Sequence, residues 1–170
     1  MNPNRKIKIE KITLNIGAGK DQGLLDKGVK LIKYVTGIEP MKTKTTKRIP
    51  AWGLRPGLPI GCKLTLRGKN MRDFVVRFLK AKNNILKLNN FDADGNIAFG
   101  VEEYIDVPGV KYNPELGLMG FQVCFTVSRN GYRVKNRKIK KKSISLKHKV
   151  TKEESVEFIK SEFGIKVEDN

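Results

Sequence analysis

The sequence predicts an α+β fold, in which an antiparallel sheet carries helices packed on one face and a long basic loop is rich in proline and glycine. Several short segments alternate apolar and polar residues, which is typical of half-buried strands, whereas others carry apolar residues at helical spacing. Strands and helices do not alternate regularly along the chain, so an antiparallel sheet is favoured over a parallel one. A chain of 170 residues is expected to form a single domain, residues 1–170.

Strands are predicted where alternation is regular. Ile12, Leu14 and Ile16 alternate with polar neighbours, and residues 60–66 repeat this pattern. The pair Asn130-Gly131 is typical of a hairpin turn, so a short return strand is expected immediately after it. The predicted strands are residues 12–16, 41–46, 60–66, 97–101, 103–107, 121–128 and 132–134.

Helices are predicted from apolar spacing and from their end signals. Gly37 is expected to end the first helix, and Asn70 is expected to cap the second. Thr151 and Glu154 form a capping box for the last helix, which Gly164 closes. The predicted helical segments are residues 24–35, 74–79 and about 152–163.

Charge gives the first indication of function. Lys and Arg total 35 against 17 acids, a net charge of +18. Such a surplus predicts a polyanionic partner, with nucleic acid as the leading candidate. Residues 41–72 and 129–149 hold nine and ten of these cations and contain no acid. This zoning favours a docking surface, and we interpret 129–149 as an extended basic segment.

Other classes of protein fit the sequence poorly. A membrane-surface protein would need a basic amphipathic helix with bulky apolar residues on one face, which we do not find, and no membrane partner is expected. The charged first residues do not resemble a signal peptide. Cys62 and Cys124 lie far apart, so reduced thiols in a cytoplasmic protein are expected.

A phosphate-binding loop is considered at Gly17-Ala18-Gly19-Lys20. A Walker loop needs glycine where Leu14 stands and Ser or Thr where Asp21 stands, which argues against nucleotide hydrolysis. Two interpretations are left: backbone N–H groups that hold an RNA phosphate, or a tight strand-to-helix turn. His148 is the only histidine and is expected to be solvated, so no metal site, cofactor or catalytic residue is predicted, and the protein is not expected to be an enzyme.

The polar faces of two strands form a candidate binding surface. Lys63, Thr65 and Arg67 share one face by alternation, and Thr13 and Asn15 share the face of the first strand. If both strands belong to one sheet, these side chains could offer phosphate and 2′-hydroxyl contacts. An ordinary solvated face is the alternative.

The loop over residues 47–61 contains Trp52 between Arg48 and Arg55. An aromatic ring among cations can stack on a base or sugar while the cations hold phosphates. The alternative is a tryptophan tucked under its own loop. Because few aliphatic residues anchor the loop, we expect it to be mobile until RNA orders it.

Several segments together resemble one family. Three segments follow in the order seen in the fifth protein of the large ribosomal subunit: KITLNIG at 11–17, TKTTKRIPAWGLRPGLPIGCKLTLRG at 43–68, and Asp94-Gly95-Asn96 with Phe99-Gly100 and then Glu103, Ile105 and Asp106. The later segments, VPGVKYNPELGLMGFQVCFTVSRNGYRV and LKHKVTKEES, are similar to its archaeal and eukaryotic branch. The resemblance implies a non-enzymatic structural constituent of the cytoplasmic ribosome with an α+β fold. It also implies that Asn15, Thr65 and Arg67 contact 5S rRNA.

The resemblance further implies a place in the central protuberance, where the protein attaches 5S rRNA, contacts large-subunit rRNA and reaches P-site tRNA through its basic loop. Neighbouring ribosomal proteins are expected partners, and a small-subunit bridge contact is a further candidate. The residues expected to bind 5S rRNA are Thr13, Asn15, Lys44, Lys63, Thr65 and Arg67. Those expected to face P-site tRNA are Lys47, Arg48, Trp52 and Arg55. Those expected to contact other rRNA are Arg133, Lys135, Arg137, Lys138, Lys140, Lys141 and Lys142.

Two other functions are compatible with parts of the sequence. A free-standing RNA chaperone or DNA-compacting protein would carry a similar charge without binding a particular site. An RNA-processing enzyme would need a convergent cluster of acids or histidines, and the sequence does not contain one.

Overall fold

Strands and helices are mixed along the chain, as predicted. The structure is a computed structural model that describes residues 2–68 and 71–168, with only the backbone of Pro3. Its strands are β1 (Ile7–Gly17), β2 (Met41–Lys44), β3 (Pro59–Leu66), β4 (Ile85–Lys87), β5 (Ile97–Val101), β6 (Phe121–Arg129) and β7 (Lys166–Glu168). Its helices are α1 (Gln22–Thr36), α2 (Met71–Ala81), α3 (Arg133–Asn136) and α4 (Lys152–Phe163). Asn70, the predicted cap of α2, lies outside the described residues.

The main sheet has five strands in the order β2-β3-β1-β6-β5, and every neighbouring pair is antiparallel. This confirms the predicted antiparallel sheet. β1 lies at its centre and is longer than predicted. A register shift between Ile9 and Lys11 marks a bulge, which keeps Ile7 and Ile9 on the apolar side despite the odd spacing to Ile12.

The apolar face of the sheet packs against helices. Ile12 and Leu14 are completely buried, as alternation predicts. α1 approaches this face closely, because a Cβ added at Gly28 would lie 3.2 Å from Ile16 and 3.4 Å from Cys62. α2 buries Phe78, whose ring meets Phe121 edge-on. Burying a large aliphatic or aromatic side chain contributes roughly 1.5–3 kcal/mol, so this layer of side chains holds the sheet and the helices together.

The helix ends follow the predicted signals. α1 is capped by the side chain of Asp21 and ends at Gly37, which adopts a left-handed conformation. α4 begins with the predicted capping box, in which Thr151 and Glu154 each accept a hydrogen bond from the other's backbone N–H. A second sheet, in which β4 pairs with β7 in parallel, was not predicted. Its strands have three residues each, which is too short for a periodicity signal.

The predicted strand at 103–107 is wrong. The chain forms a 3₁₀ turn over Tyr104–Asp106 instead. Tyr104 is completely buried, and its hydroxyl accepts a hydrogen bond of 2.8 Å from the backbone N–H of Asn113. Pulling this ring into the core bends the backbone away from an extended path.

The predicted return strand at 132–134 is also wrong, because α3 begins at Arg133. β1 occupies one edge of β6, and β5 occupies the other as far as Phe125. Beyond that point the N–H of Val127 donates to the side-chain oxygen of Asn96 at 3.3 Å. Asn96 thus occupies an N–H group on the side of β6 where a return strand would pair, and the Asn130-Gly131 turn leads into α3 instead.

Candidate nucleic-acid interface

The polar residues of β1 and β3 lie on one surface. Thr13 pairs directly with Thr65, and Asn15 pairs directly with Lys63. Side chains directly opposite each other in an antiparallel pair have Cβ atoms about 4.5–5.5 Å apart. These four side chains therefore form one continuous patch on the face opposite the helices, which we call the outer face. The condition set by the sequence, that both strands share a sheet, is confirmed.

Hydrogen bonds and an ion pair order this outer face. The amide nitrogen of Asn15 donates to the side-chain oxygen of Gln122 on β6 at 3.2 Å. The guanidinium of Arg67, just beyond β3, lies 3.0 Å from the carboxylate of Glu10. Arg67 stays more than half exposed in this pair. Its position is thus fixed on one side while its remaining donors face solvent.

The outer face carries little negative charge. By alternation β6 contributes Gln122, Cys124 and Thr126 to it. Burial raises the pKa of the Cys124 thiol above its usual value, so this group stays neutral near pH 7. Lys44 lies further out, on edge strand β2, opposite Pro59 and past a register shift. Lys44 is exposed and extends the positive region toward the edge of the sheet.

The basic loop between β2 and β3 has structure of its own. Ile49 and Leu54 exchange two backbone hydrogen bonds of 3.1 Å around a 3₁₀ turn at Pro50–Trp52. Leu54 is buried and anchors the loop. Trp52 at the tip is 67% exposed, which excludes a tryptophan tucked under its own loop. Lys47, Arg48 and Arg55 are exposed beside it.

The glycine turn before α1 does not hold a phosphate in this conformation. The backbone N–H groups of Ala18 and Gly19 both donate to the carbonyl of Ile60, at 2.9 and 3.0 Å. The first N–H groups of α1 are taken by the side chain of Asp21. Of the two interpretations, the structure supports the tight strand-to-helix turn.

The basic segment 129–149 folds back on itself. The Arg137 side chain donates to the carbonyl of Lys140 at 2.8 Å, and the N–H of Lys142 donates to Val134 at 3.3 Å. Every cation expected here to contact other rRNA is exposed: Arg133, Lys135, Arg137, Lys138, Lys140, Lys141 and Lys142. They form a second positive surface beside the outer face.

His148 is not simply solvated, contrary to expectation. Its ring is half-buried, and Nε2 lies 2.9 Å from the carbonyl oxygen of Asn130. The hydroxyl of Tyr132 accepts a hydrogen bond of 3.0 Å from the N–H of Val150. These contacts tie the two ends of the basic segment together.

Arg129 was counted among the surface cations, but it is only 6% exposed. It pairs with Glu154 on α4 at 2.5 Å, and its Nε has no hydrogen-bond partner among the described atoms. The alternation of inward and outward residues along β6 predicts this burial. Arg129 continues the inward series that includes Phe125 and Val127.

Two further searches concern the described part of the chain. Among residues 2–68 and 71–168, no group of three or more His, Cys, Asp or Glu side chains could hold a metal ion. Within the same residues, no helix is both long and apolar enough to span a bilayer.

A sheet that buries one face under helices and presents a basic, hydroxyl-rich face with flanking basic segments is typical of an RNA-binding protein. The comparisons with known proteins agree with this class. Residues 2–55 match the family described as ribosomal protein L5, and residues 59–158 match the model for the C-terminus of the same ribosomal family. The chain belongs to the ribosomal protein L5 family.

Similar curated proteins are named large ribosomal subunit protein uL5. The protein of Nanoarchaeum equitans is 45% identical over 166 residues, covering 97% of this chain and 98% of its own. That of Methanococcus maripaludis strain C6 is 44% identical over 168 residues, covering 97% and 93%. That of Sulfurisphaera tokodaii is 40% identical over 168 residues, covering 98% and 95%. All three are archaeal, so the chain is of the archaeal type, as its later segments predicted.

Proposed function

We propose that this protein, a structural constituent of the large subunit of the cytoplasmic ribosome, binds 5S rRNA through its outer face and helps attach it to the central protuberance. The observation that carries the proposal is the register of β1 and β3. Thr13 and Asn15 of β1 lie directly opposite Thr65 and Lys63 of β3, and Arg67 follows just beyond the end of β3.

The chemistry of the outer face suits an RNA backbone. Lys63 and Arg67 can neutralise phosphates, and the threonine hydroxyls can donate to or accept from 2′-hydroxyl groups. Because Glu10 holds Arg67 in place, less side-chain entropy is lost when the guanidinium meets a phosphate. Other exposed cations, on segment 129–149 and including Arg133, Arg137 and Lys138, are available for large-subunit rRNA.

The test of the proposal compares two single variants with a matched control. Arg67→Ala is expected to weaken binding of a 5S rRNA transcript about 10- to 100-fold, because a charge-assisted hydrogen bond contributes roughly 1.5–3 kcal/mol. Thr65→Ala is expected to cost less, about 10-fold or below. Both side chains are exposed, so little core packing is lost.

Lys33→Ala is the control. Lys33 is an exposed cation on α1, paired with Glu39, and α1 packs on the opposite face of the sheet. If the Thr65 and Arg67 variants bind 5S rRNA as well as the control does, the outer face is only solvated and the proposal fails.

A second contact is proposed for the basic loop, which would reach P-site tRNA. The exposed Trp52 supports it, since an aromatic ring held at a loop tip among Lys47, Arg48 and Arg55 can stack on a base or ribose. We further propose contacts with neighbouring proteins of the central protuberance. A bridge contact with the small subunit is a further candidate.

A further inference from the structure

A cleft of about 550 Å³ lies between the outer face and the folded-back basic segment. β1 contributes Glu10 and Lys11, β6 contributes Thr126, and Arg67 lies at the same rim. Residues of the basic segment form the facing wall: Tyr132, Lys135, Asn136, Lys141, Lys142, Ser143, Ile144 and Lys149. The cleft is therefore continuous with the outer face through Arg67.

The charges around the cleft leave a net positive interior. Of the acids that line it, Glu10 pairs with Arg67 at 3.0 Å and Asp94 pairs with Lys149 at 3.4 Å. The remaining cations that line the cleft have no acidic partner within 4.0 Å in the described part of the chain: Lys11, Lys135, Lys141 and Lys142. Four such ammonium groups around one concavity favour an anionic occupant.

The walls also offer an apolar and aromatic surface. Tyr132 and Ile144 both line the cleft. The Tyr132 ring is held in place, because its hydroxyl accepts the N–H of Val150 and the ring lies 6.1 Å from that of His148. A fixed, partly exposed aromatic ring is a stacking partner for an unpaired base. The hydroxyl of Thr126 and the side-chain amide of Asn136 can form hydrogen bonds with base edges.

Size separates a nucleotide from other anionic forms of RNA. Clefts of about 300–1,000 Å³ enclose small organic ligands, so a volume of about 550 Å³ matches a single nucleotide and is too small to enclose a duplex. A phosphate alone would leave the aromatic wall unused. Glu10 and Lys11, which line the cleft, lie at the bulge in β1, and bulges redirect the side chains next to them.

We propose that the cleft binds one unpaired nucleotide of the 5S rRNA held on the outer face. Its base lies against Tyr132 and Ile144, and its flanking phosphates meet Lys11, Lys141 and Lys142. This inference rests on the proposed function, because the RNA must first lie on the outer face for one of its nucleotides to enter. The basic segment thereby recognises an unpaired nucleotide of the RNA in addition to supplying positive charge.

The experiment uses the full chain, a 5S rRNA transcript and chemical probing of each nucleotide. Two double variants remove equal charge: Lys141→Ala with Lys142→Ala inside the cleft, and Lys33→Ala with Lys147→Ala, two exposed cations outside it. The wild-type protein is expected to protect one unpaired nucleotide in addition to the backbone stretch on the outer face. The cleft variant should lose that single protection and keep the stretch, and the control should keep both.

Affinity measured against salt gives a second readout. If Lys141 and Lys142 each contact a phosphate, the cleft variant should reduce the slope of log affinity against log salt by about 1.4 to 1.8. The control should reduce it by less. Identical footprints and slopes for the two double variants would overturn the cleft proposal alone. Failure of the wild-type protein to protect 5S rRNA at all would overturn the proposed function.

Discussion

Gly61 shows how one residue permits the pairing on which the outer face depends. A Cβ added at Gly61 would lie 2.6 Å from the backbone carbonyl oxygen of Ile16. That distance is shorter than side-chain atoms adopt, and the obstacle is backbone of the neighbouring strand. The side chain missing at Gly61 therefore allows β1 and β3 to approach each other next to the paired polar residues.

Gly61→Ala is expected to lower the free energy of unfolding by about 1–3 kcal/mol, the usual cost of overpacking. Urea denaturation followed by circular dichroism measures this. Gly17→Ala is the matched control, because Gly17 pairs directly with Gly61 and nothing lies within 4 Å of its added Cβ. Equal losses in the two variants would show that glycine flexibility, rather than the close approach, matters here.

Glu154 links α4 to the buried Arg129 and makes stability depend on pH. Burial raises the pKa of this carboxyl, but the hydrogen bonds from Thr151 and Arg129 and the charges of Arg129 and Arg5 outweigh it, so the pKa is lowered from the ordinary 4.5. A lowered folded-state pKa stabilises the fold above the ordinary value. That contribution is lost as the pH falls through the folded-state pKa.

Glu154→Gln is expected to be less stable than the wild type at pH 7, and this difference should shrink as the pH falls below about 4.5. Glutamine can still complete the capping box, so the variant isolates the charge. Denaturant titrations between pH 7 and pH 3 measure the difference. Glu153→Gln, which alters an exposed neighbour, is the control, and its stability should equal that of the wild type over this pH range. A gap between wild type and Glu154→Gln that is constant with pH would contradict the ion-pair account.

At the scale of elements, the loop between β2 and β3 and the outer face are separate units. The loop closes on itself through the Ile49–Leu54 bridge and is anchored by Leu54. Its tip, Pro50–Trp52 with Gly53, makes no hydrogen bond to the outer-face residues within the described part of the chain. The tip stays predicted to be mobile until RNA orders it.

Replacing residues 50–53 with Asn-Gly should preserve the bridge, since this pair forms a two-residue hairpin turn. Binding of 5S rRNA is expected to be unchanged, whereas ribosomes carrying the variant should release P-site tRNA faster, because stacking by Trp52 is lost. Filter binding measures the first quantity and tRNA dissociation from isolated ribosomes measures the second. Lost 5S binding with normal tRNA retention would mean that the two roles are assigned to the wrong elements.

At the scale of the whole molecule, the net charge is +18. The positive charges that favour binding to a polyanion also repel one another and so oppose folding. The helical side balances several of its cations with acids, as in the Lys42–Asp26 and Arg72–Glu162 pairs. Among the residues that the structure describes, most cations of the outer face and the basic segment have no acidic partner within 4.0 Å. A polyanion bound there relieves self-repulsion and stabilises the fold by linkage.

Affinity for 5S rRNA is therefore expected to fall steeply with ionic strength, by about 0.7 to 0.9 in log affinity per tenfold change of salt for each phosphate neutralised. Titrations at several potassium chloride concentrations measure the slope. A competitor of unrelated structured RNA distinguishes a specific site from a general RNA chaperone, which would be displaced by any RNA. An affinity that does not vary with salt would rule out the electrostatic account.

Local patterns in the sequence were sufficient for the fold class, most strands, the helix ends and the polar residues shared by each strand face. Alternation and capping depend on neighbouring residues alone, so they can be seen without the fold. The same is true of the basic windows. For these reasons Thr13 and Asn15 could be assigned to one strand face and Thr65 and Arg67 to another, whereas their union in one surface depended on the pairing of β1 with β3.

The tertiary structure decided what depends on contacts distant in sequence. Asn96, distant in sequence, accepts the N–H of Val127 where a return strand would pair, and the chain forms α3 instead. The carbonyl of Ile60 accepts the N–H groups that were considered for a phosphate. Burial of Arg129 needed Glu154 from another element, and the cleft exists only because the basic segment folds back over the outer face. Each outcome is set by which donors, acceptors and surfaces remain unoccupied after packing, and local periodicity does not contain that information.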